Sequence, residues 1–377
     1  MLNFIVPWKQ KWIFQNLKNR LHSDQSSSLS FFAYHDLYRK QKLKPGIYIF
    51  TGYGVLTNVQ KEVGLQLSKQ LQKAGSDFII MNHPEKVLDR YELLETLYHL
   101  GYNQFRAYKI HEILSDSVKP GFPVFIREAG RHSGSLTGLL TNSDSMIKKI
   151  HELKKSGFKY DHLLVVEFID TADNRGIYKK YSAFRLGDTI LPRYLSLSYD
   201  WVVKENASER PGYTLYDEDV IKEELLYIQN NPDQQLLKEI FQIANIEYGR
   251  IDYGFKDGKL QVWEINTLPT IGAHPRVSKP PKSVSGGIVE RKLKRAAAKE
   301  HFYHGINEAI KNIYPITSPQ YVSITLSKQL QRRILREKSK HMFTNAMLNT
   351  GIHLPRLIFF QNLRTAVIAR LKKVIQR

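Results

Sequence analysis

Two short stretches in the second half of the chain carry residue types suited to metal and phosphate chemistry. Arg250-Ile251-Asp252-Tyr253 lies on one arm of a predicted hairpin, and Trp263-Glu264-Ile265-Asn266, followed by Pro269, ends the other. Between them, Lys256-Asp257-Gly258 supplies the Asp-Gly pair that closes tight hairpins. Glu264 and Asn266 are two residues apart, so a strand presents both on one face. Asp252, Glu264 and Asn266 then offer three converging oxygen-bearing side chains. Hard oxygen donors suit Mg2+, which is commonly held by one or two carboxylates together with substrate phosphates. The competing reading is a surface hairpin with unrelated polar residues. Glu264 weighs against it, because its strand is apolar and an ionised carboxylate there needs a partner or a metal.

The stretch Arg250–Pro269 resembles the metal-binding end of ATP-grasp enzymes: R-x-D, a hairpin, then E-x-N-x-x-P. D-alanine–D-alanine ligase, glutathione synthetase and the ribosomal-protein glutamate ligases are the nearest likenesses. The resemblance implies ATP and two Mg2+ as cofactors, with Mn2+ as a substitute ion, and Asp252, Glu264 and Asn266 as ligands. It implies that Arg250 steadies charge on the transferred phosphoryl and acyl groups. Upstream, Phe122–Gly134 resembles the strand and small-residue loop that cover the ATP phosphates; a loop of this kind presents backbone N–H groups to anions. Arg127 stands where the family usually has Lys, and Arg90 stands near the place of a second phosphate Lys. Arg keeps the positive charge and adds a bidentate fork. Leu163–Asp170 resembles the hinge strand, which implies Glu167, Phe168 and Ile169 at the adenine edge and Asp170 or Asp173 on the ribose. Plain core packing is the other reading of Phe168 and Ile169. Arg185 and Lys204 are further phosphate candidates, or else ordinary surface charges.

These residues need elements to position them. Gly46–Thr51, Val59–Lys73 and Phe78–Met81 read as a strand, helix and strand. Tyr91–Leu100 reads as a helix stopped by Gly101. Phe122–Arg127 and Leu163–Ile169 read as strands, with a helix over Met146–Lys155 between them. Tyr178–Leu186 and Thr189–Tyr194 form a hairpin about Gly187-Asp188, and on the first strand Lys179, Tyr181, Ala183 and Arg185 share a face. Gln235–Ala244 is a helix. Met1–Leu21 reads as a basic amphipathic helix and Asp24–Ser30 as a linker. Beyond Pro275 the pattern predicts helices over Val289–Ile313, Ser327–Lys340 and Leu357–Ile375. The expected class is mixed α/β (α+β): a basic segment over 1–45, a Rossmann-like α/β domain over 46–83, an ATP-grasp domain over 84–275 and a basic helical C-terminal extension over 276–377.

Charge supports that division. The 377 residues carry a net charge of +20. From Arg276 to Arg377 there are 21 Lys and Arg against 4 Asp and Glu, leaving 35 against 32 for the rest of the chain. An amphipathic basic helix over Leu357–Ile375 suits an anionic membrane surface. Packing on the main body is the competing reading, and nucleic acid lacks a supporting motif. The chain has no Cys, which excludes disulfide scaffolds, thiol catalysis and Cys-ligated metals. There is no P-loop, no third Gly after Gly52-Tyr53-Gly54, no G-x-S-x-G elbow and no H-E-x-x-H. No apolar run reaches the roughly 18 residues of a membrane span, so the expectation is a cytoplasmic protein with peripheral membrane contact. The resemblance implies an ATP-dependent ligase joining a small-molecule or peptide carboxylate to an amine. A non-catalytic relative acting through its basic tail and an ATP-dependent phosphotransferase are the alternatives.

Overall fold

The computed structural model describes residues 1–39, 41–131, 134–203, 218–271, 300–313 and 321–350, with backbone alone at 218 and 340–350. Among the described residues two compact units emerge, one from Met1–Leu88 and Asp170–Gln331, the other from Asp89–Ile169 and the helical residues after Gln331.

The first unit opens with a parallel sheet. Strand β1 (Leu2–Val6) leads to helices α1 (Lys11–Lys18) and α2 (Ser23–Ser27), then β2 (Leu29–Ala33), β3 (Gln41–Leu43) and β4 (Gly46–Phe50). Helix α3 (Asn58–Ala74), capped by a Thr57–Gln60 capping box, returns the chain to β5 (Phe78–Met81). The strand order is β2-β1-β4-β5, parallel throughout. Every residue of β1 and of β4 is buried, as expected of central parallel strands covered on both faces.

This corrects two expectations. Leu2–Val6 is a central strand rather than part of a helix, and the basic helix is confined to Lys11–Lys18. The region read as a linker holds α2 and runs into β2. The physical reason is that a strand buried on both faces shows no alternation, so Leu2–Val6, four apolar residues and the buried Asn3 ahead of Pro7, looks the same as a helix segment. Because Leu2 pairs with Ile47, residues 1–45 are not separable from the α/β fold that follows.

The Asp89–Ile169 part of the second unit contains α4 (Arg90–His99), β6 (Ala107–Lys109), α5 (Ile110–Leu114), β7 (Val124–Glu128), α6 (Ser143–Lys155) and β8 (Leu163–Glu167). Its antiparallel sheet has the order β6-β8-β7. Ile126 and Val165 meet Met146, Ile150 and Leu153 of α6 in its core.

The chain then returns to the first unit. Strands β9 (Tyr178–Leu186) and β10 (Thr189–Ser198), helices α7 (Glu218–Asn230) and α8 (Gln234–Ile243), and strands β11 (Tyr248–Lys256) and β12 (Lys259–Asn266) follow. The four strands form an antiparallel sheet in the order β10-β9-β11-β12. The β11–β12 turn puts Asp257 and Gly258 at φ 49° and 75°, the left-handed pair that a tight hairpin demands. Helical residues 300–312 (α9), β13 (Val322–Ile324) and α10 (Lys328–Thr350) complete the described chain.

Asn82 ties the two sheets of the first unit together. Fully buried, its side-chain oxygen accepts from Glu247 and Tyr248 N–H, and its amide donates to Phe50 and Tyr248 carbonyls. Phe4, Phe14, Phe184, Tyr248 and Phe302 share one aromatic core, so α9 packs with both sheets. β13 pairs with β3. The region after residue 276 is therefore not one detached extension: its first described parts belong to the core of this unit. The helix expected over Leu357–Ile375 lies outside the described residues.

Candidate active site

The sheet geometry decides which side chains meet. Asp252 pairs with Glu264 on β12 and with Ser182 on β9, while Arg250 pairs with Asn266 and Phe184. Directly opposed residues share a face, so Arg250, Asp252, Glu264, Asn266, Ser182 and, two residues from it, Lys180 form one polar surface. Register slips after Asp252, where Tyr253 pairs with Val262 and Trp263 is the extra residue of a bulge. Gly254 makes room for that bulge: a Cβ there would lie 2.5 Å from the Trp263 ring and 2.9 Å from the Lys179 carbonyl oxygen.

Asp252 is the centre of the cluster and only 4% exposed. Ser182 Oγ donates to its Oδ1 at 2.5 Å, and Arg250 donates through Nε at 2.9 Å and Nη2 at 3.3 Å. Lys180 Nζ lies 3.4 Å from Oδ2. Burial acts to raise the Asp252 pKa, but the Arg250 and Lys180 charges and the Ser182 hydrogen bond prevail and hold it below its ordinary value. For Lys180, burial acts to lower the pKa; Asp252, Tyr194 and Glu264 outweigh it, so the ammonium is held above its ordinary range. Arg250 is likewise raised: burial opposes, and Asp252 leads the effects that overcome it.

Glu264 and Asn266 are also buried. Asn266 Oδ1 accepts from Leu268 N–H at 2.8 Å, which fixes the amide. The following segment is pinned as well. Thr267 Oγ1 accepts from the N–H groups of Gly52 and Tyr53, and Arg193 Nη2 donates to Thr270 O at 2.7 Å. Gly52 sits at φ 82° with Pro7 Cγ 2.5 Å from where a Cβ would be, so only glycine fits this turn. Arg193 is held below the usual guanidinium range, first by burial and then by the Arg250 charge. Lys180, Arg193 and Arg250 thus stand against Asp252 and Glu264, one positive charge in excess.

Lys180, Ser182 and Arg193 escaped sequence reasoning. The face of β9 chosen there, with Arg185, is the opposite one. Arg185 is 5% exposed; it donates to the carbonyls of Gly187 and Ile246 and stacks over Phe241 of α8. It holds loops behind the sheet and does not reach the Asp252 cluster. Lys204 lies outside the described residues. In the second unit, Arg90 Nη1 donates to the carbonyls of Glu128, Ala129 and Arg131, so its guanidinium fastens the loop after β7. Arg127 lies within β7, half-buried, opposite Leu164. The Glu167 carboxylate accepts from Gly121 N–H, Arg106 N–H and Tyr108 OH, and Phe168 N–H donates to Pro123 O. Ile169 is the last residue of this unit's first segment. Asp170 is exposed and accepts from Ala172 N–H; Asp173 accepts from Arg175 and Ile177 N–H and pairs with Lys179 at 3.7 Å.

Among the described residues, no group of three or more His, Cys, Asp or Glu could hold a metal on its own. Two facing carboxylates and an amide oxygen do fit Mg2+ of the kind whose remaining ligands are phosphate oxygens and water.

No family model matches the chain, and no curated protein matches it. Solved structures do. The chain is similar to a D-alanine–D-alanine ligase from Bacillus anthracis: 14% identity, TM-score 0.42, 82% of this chain and 98% of that one. It is also similar to a RimK domain ATP-grasp protein from Sphaerobacter thermophilus, at 12% identity and TM-score 0.40, over 81% of this chain and all of that one. An L-amino acid ligase from Bacillus licheniformis matches at 10% identity and TM-score 0.38, over 83% and 77%. The functional reading rests on the site itself.

Proposed function

We propose that this chain is an ATP-grasp ligase that joins a carboxylate to an amine at the expense of ATP. The observation that carries the reading is the buried face on which Asp252 opposes Glu264 while Lys180, Arg193 and Arg250 leave a net positive charge. Such a face is incomplete without a polyanion, and the phosphate chain of a nucleotide supplies one.

Asp252, Glu264 and Asn266 would hold Mg2+, which when bound supplies charge neutralisation on the phosphates. Lys180 and Arg250 balance charge spreading over the transferred phosphoryl group, already oriented by Asp252. A substrate carboxylate oxygen attacks the γ-phosphorus, the bond to ADP breaks, and an acyl phosphate results. An amine nitrogen then attacks the acyl carbon, phosphate leaves with the C–O electrons, and the nitrogen loses a proton. The amide, ADP and phosphate are the products. Burial of the polar face protects the acyl phosphate from water.

The test is ADP release across a panel of carboxylates and amines, with product analysis by mass. An amide product and a loss of about 10²–10³-fold in Glu264→Ala and Asp252→Asn are expected. Wild-type rates in both variants would remove the site, and a stable phosphorylated product would assign phosphotransfer instead. The basic C-terminal end is proposed to contact anionic membrane surfaces. Since α9 and β13 belong to the folded unit, co-sedimentation with anionic liposomes should compare the full chain with one ending at residue 350.

A further inference from the structure

Behind the same sheet, facing away from Asp252, lies a cavity of about 430 Å³. Tyr181 of β9 and Phe255 of β11 give it aromatic walls, 5.6 Å apart between ring centroids and edge-to-face. Helix α7 and the turn into α8 supply the rest, including Asp219, Lys222, Glu223, Tyr227 and Asp233. The volume falls in the range of small-molecule sites.

Charge sets the class of ligand. The lining holds three carboxylates and one ammonium, and Lys179 Nζ, 2.7 Å from Glu223 Oε2, brings a second cation to it. The cavity is left with one negative charge, within a chain of net charge +20. One organic monocation balances it.

Hydrogen-bond accounting points to the same ligand. Tyr253 OH is 2.7 Å from Asp233 Oδ2 and 3.2 Å from Tyr227 OH, and Tyr227 OH is 2.9 Å from Ser182 O. With Asp233 ionised, two hydroxyl hydrogens serve three gaps, so the chain is one donor short. A donor arriving at Asp233 releases the Tyr253 hydrogen for Tyr227 and completes it. Asp233 also stands at the N-cap of α8 yet makes no capping hydrogen bond, forgoing the contact this residue type usually makes there. Its side chain faces Tyr253 instead.

We propose that this cavity binds a small organic ammonium ion, the nitrogen donating to Asp233 and the apolar body lying against Tyr181 and Phe255. Carboxylate pairing and the faces of aromatic rings both favour a cation there.

The experiment is calorimetric titration of the full chain, without nucleotide, with 2-phenylethylamine and with its uncharged analogue 2-phenylethanol. The amine should bind at least about tenfold more tightly than the alcohol, the worth of one charge-assisted contact. Asp233→Asn should erase that preference. Leu226→Trp, at a lining position 46% exposed, should obstruct the cavity and weaken the amine without touching the sheet. Equal binding of amine and alcohol, no amine binding at millimolar concentration, or undiminished amine binding in both variants would overturn the proposal. No ligase turnover enters the measurement, so its failure leaves the ligase reading intact.

Discussion

The two faces of one antiparallel sheet treat an aspartate in opposite ways, one buried and one half-buried. On the front, Asp252 is met by Arg250, Lys180 and Ser182, and its pKa falls below the ordinary 3.8. On the back, Asp233 is met by the Tyr253 hydroxyl; burial dominates and its pKa rises above 3.8. Tyr181, Tyr227 and Tyr253 on that side are pushed upward as well, in each case chiefly by burial. Neighbouring residues on the same strands point to each side, since Tyr181 precedes Ser182 and Asp252 precedes Tyr253. The contrast teaches that burial alone does not set a carboxylate's charge. Cations within reach do, and strand alternation decides which acid receives them.

The contrast is broken most severely by removing the front carboxylate. Asp252→Ala would leave Arg250 and Lys180 facing each other without their counter-ion. A loss of about 3–5 kcal/mol in urea unfolding is expected, as for other buried pairs stripped of one partner. A loss below 1 kcal/mol, roughly that of an exposed pair, would mean the cluster is solvated. A smaller effect follows from Ser182→Ala, which removes only the 2.5 Å hydrogen bond. About 1.5–3 kcal/mol is expected, the range for hydrogen bonds to charged groups. The Asp252 pKa, followed by carboxyl NMR, should rise, because the Ser182 contact is one of the effects that hold it down. An unchanged Asp252 titration would show that Arg250 and Lys180 suffice.

How much of this was readable in the sequence depends on periodicity. The β11–β12 hairpin was legible because Asp257-Gly258 fixes the turn, but an unbroken ladder from that turn would set Asp252 opposite Trp263; the bulge at Trp263, which brings Glu264 there instead, has no such signal. The β9 face was not. Ala183, Phe184, Arg185 and Leu186 are all buried, so neither face advertises itself, and a one-residue error in parity exchanges Arg185 for Lys180. Leu2–Val6 was obscured for the same reason. Arg193 was hidden differently: register slips between Pro192 and Tyr194, so alternation along β10 does not predict where it points. The role of Asp233 depends on contacts between α8 and β11 that no local pattern encodes.

The smallest effect is also the sharpest test of the two faces, because its sign differs between them. Between the depressed Asp252 pKa and 3.8, the unfolded chain holds a proton that the folded chain has released, so stability rises with pH. That contribution is fully present above 3.8 and lost as pH falls through the folded value. For Asp233 the folded chain holds the proton longer. Its contribution is fully present below 3.8 and declines as pH rises through the raised folded value. Each slope is bounded by about 1.4 kcal/mol per pH unit. Asp233→Asn should therefore flatten a decline above pH 3.8, and Asp252→Asn should flatten a rise below it, in urea midpoints measured across the acid range. Tyr253→Phe removes a hydrogen bond that lowers the Asp233 pKa, so it should carry the decline to higher pH. If Asp233→Asn instead left the slope above 3.8 untouched, Asp233 would be titrating as though in water, and its partial burial beside Tyr253 would count for nothing.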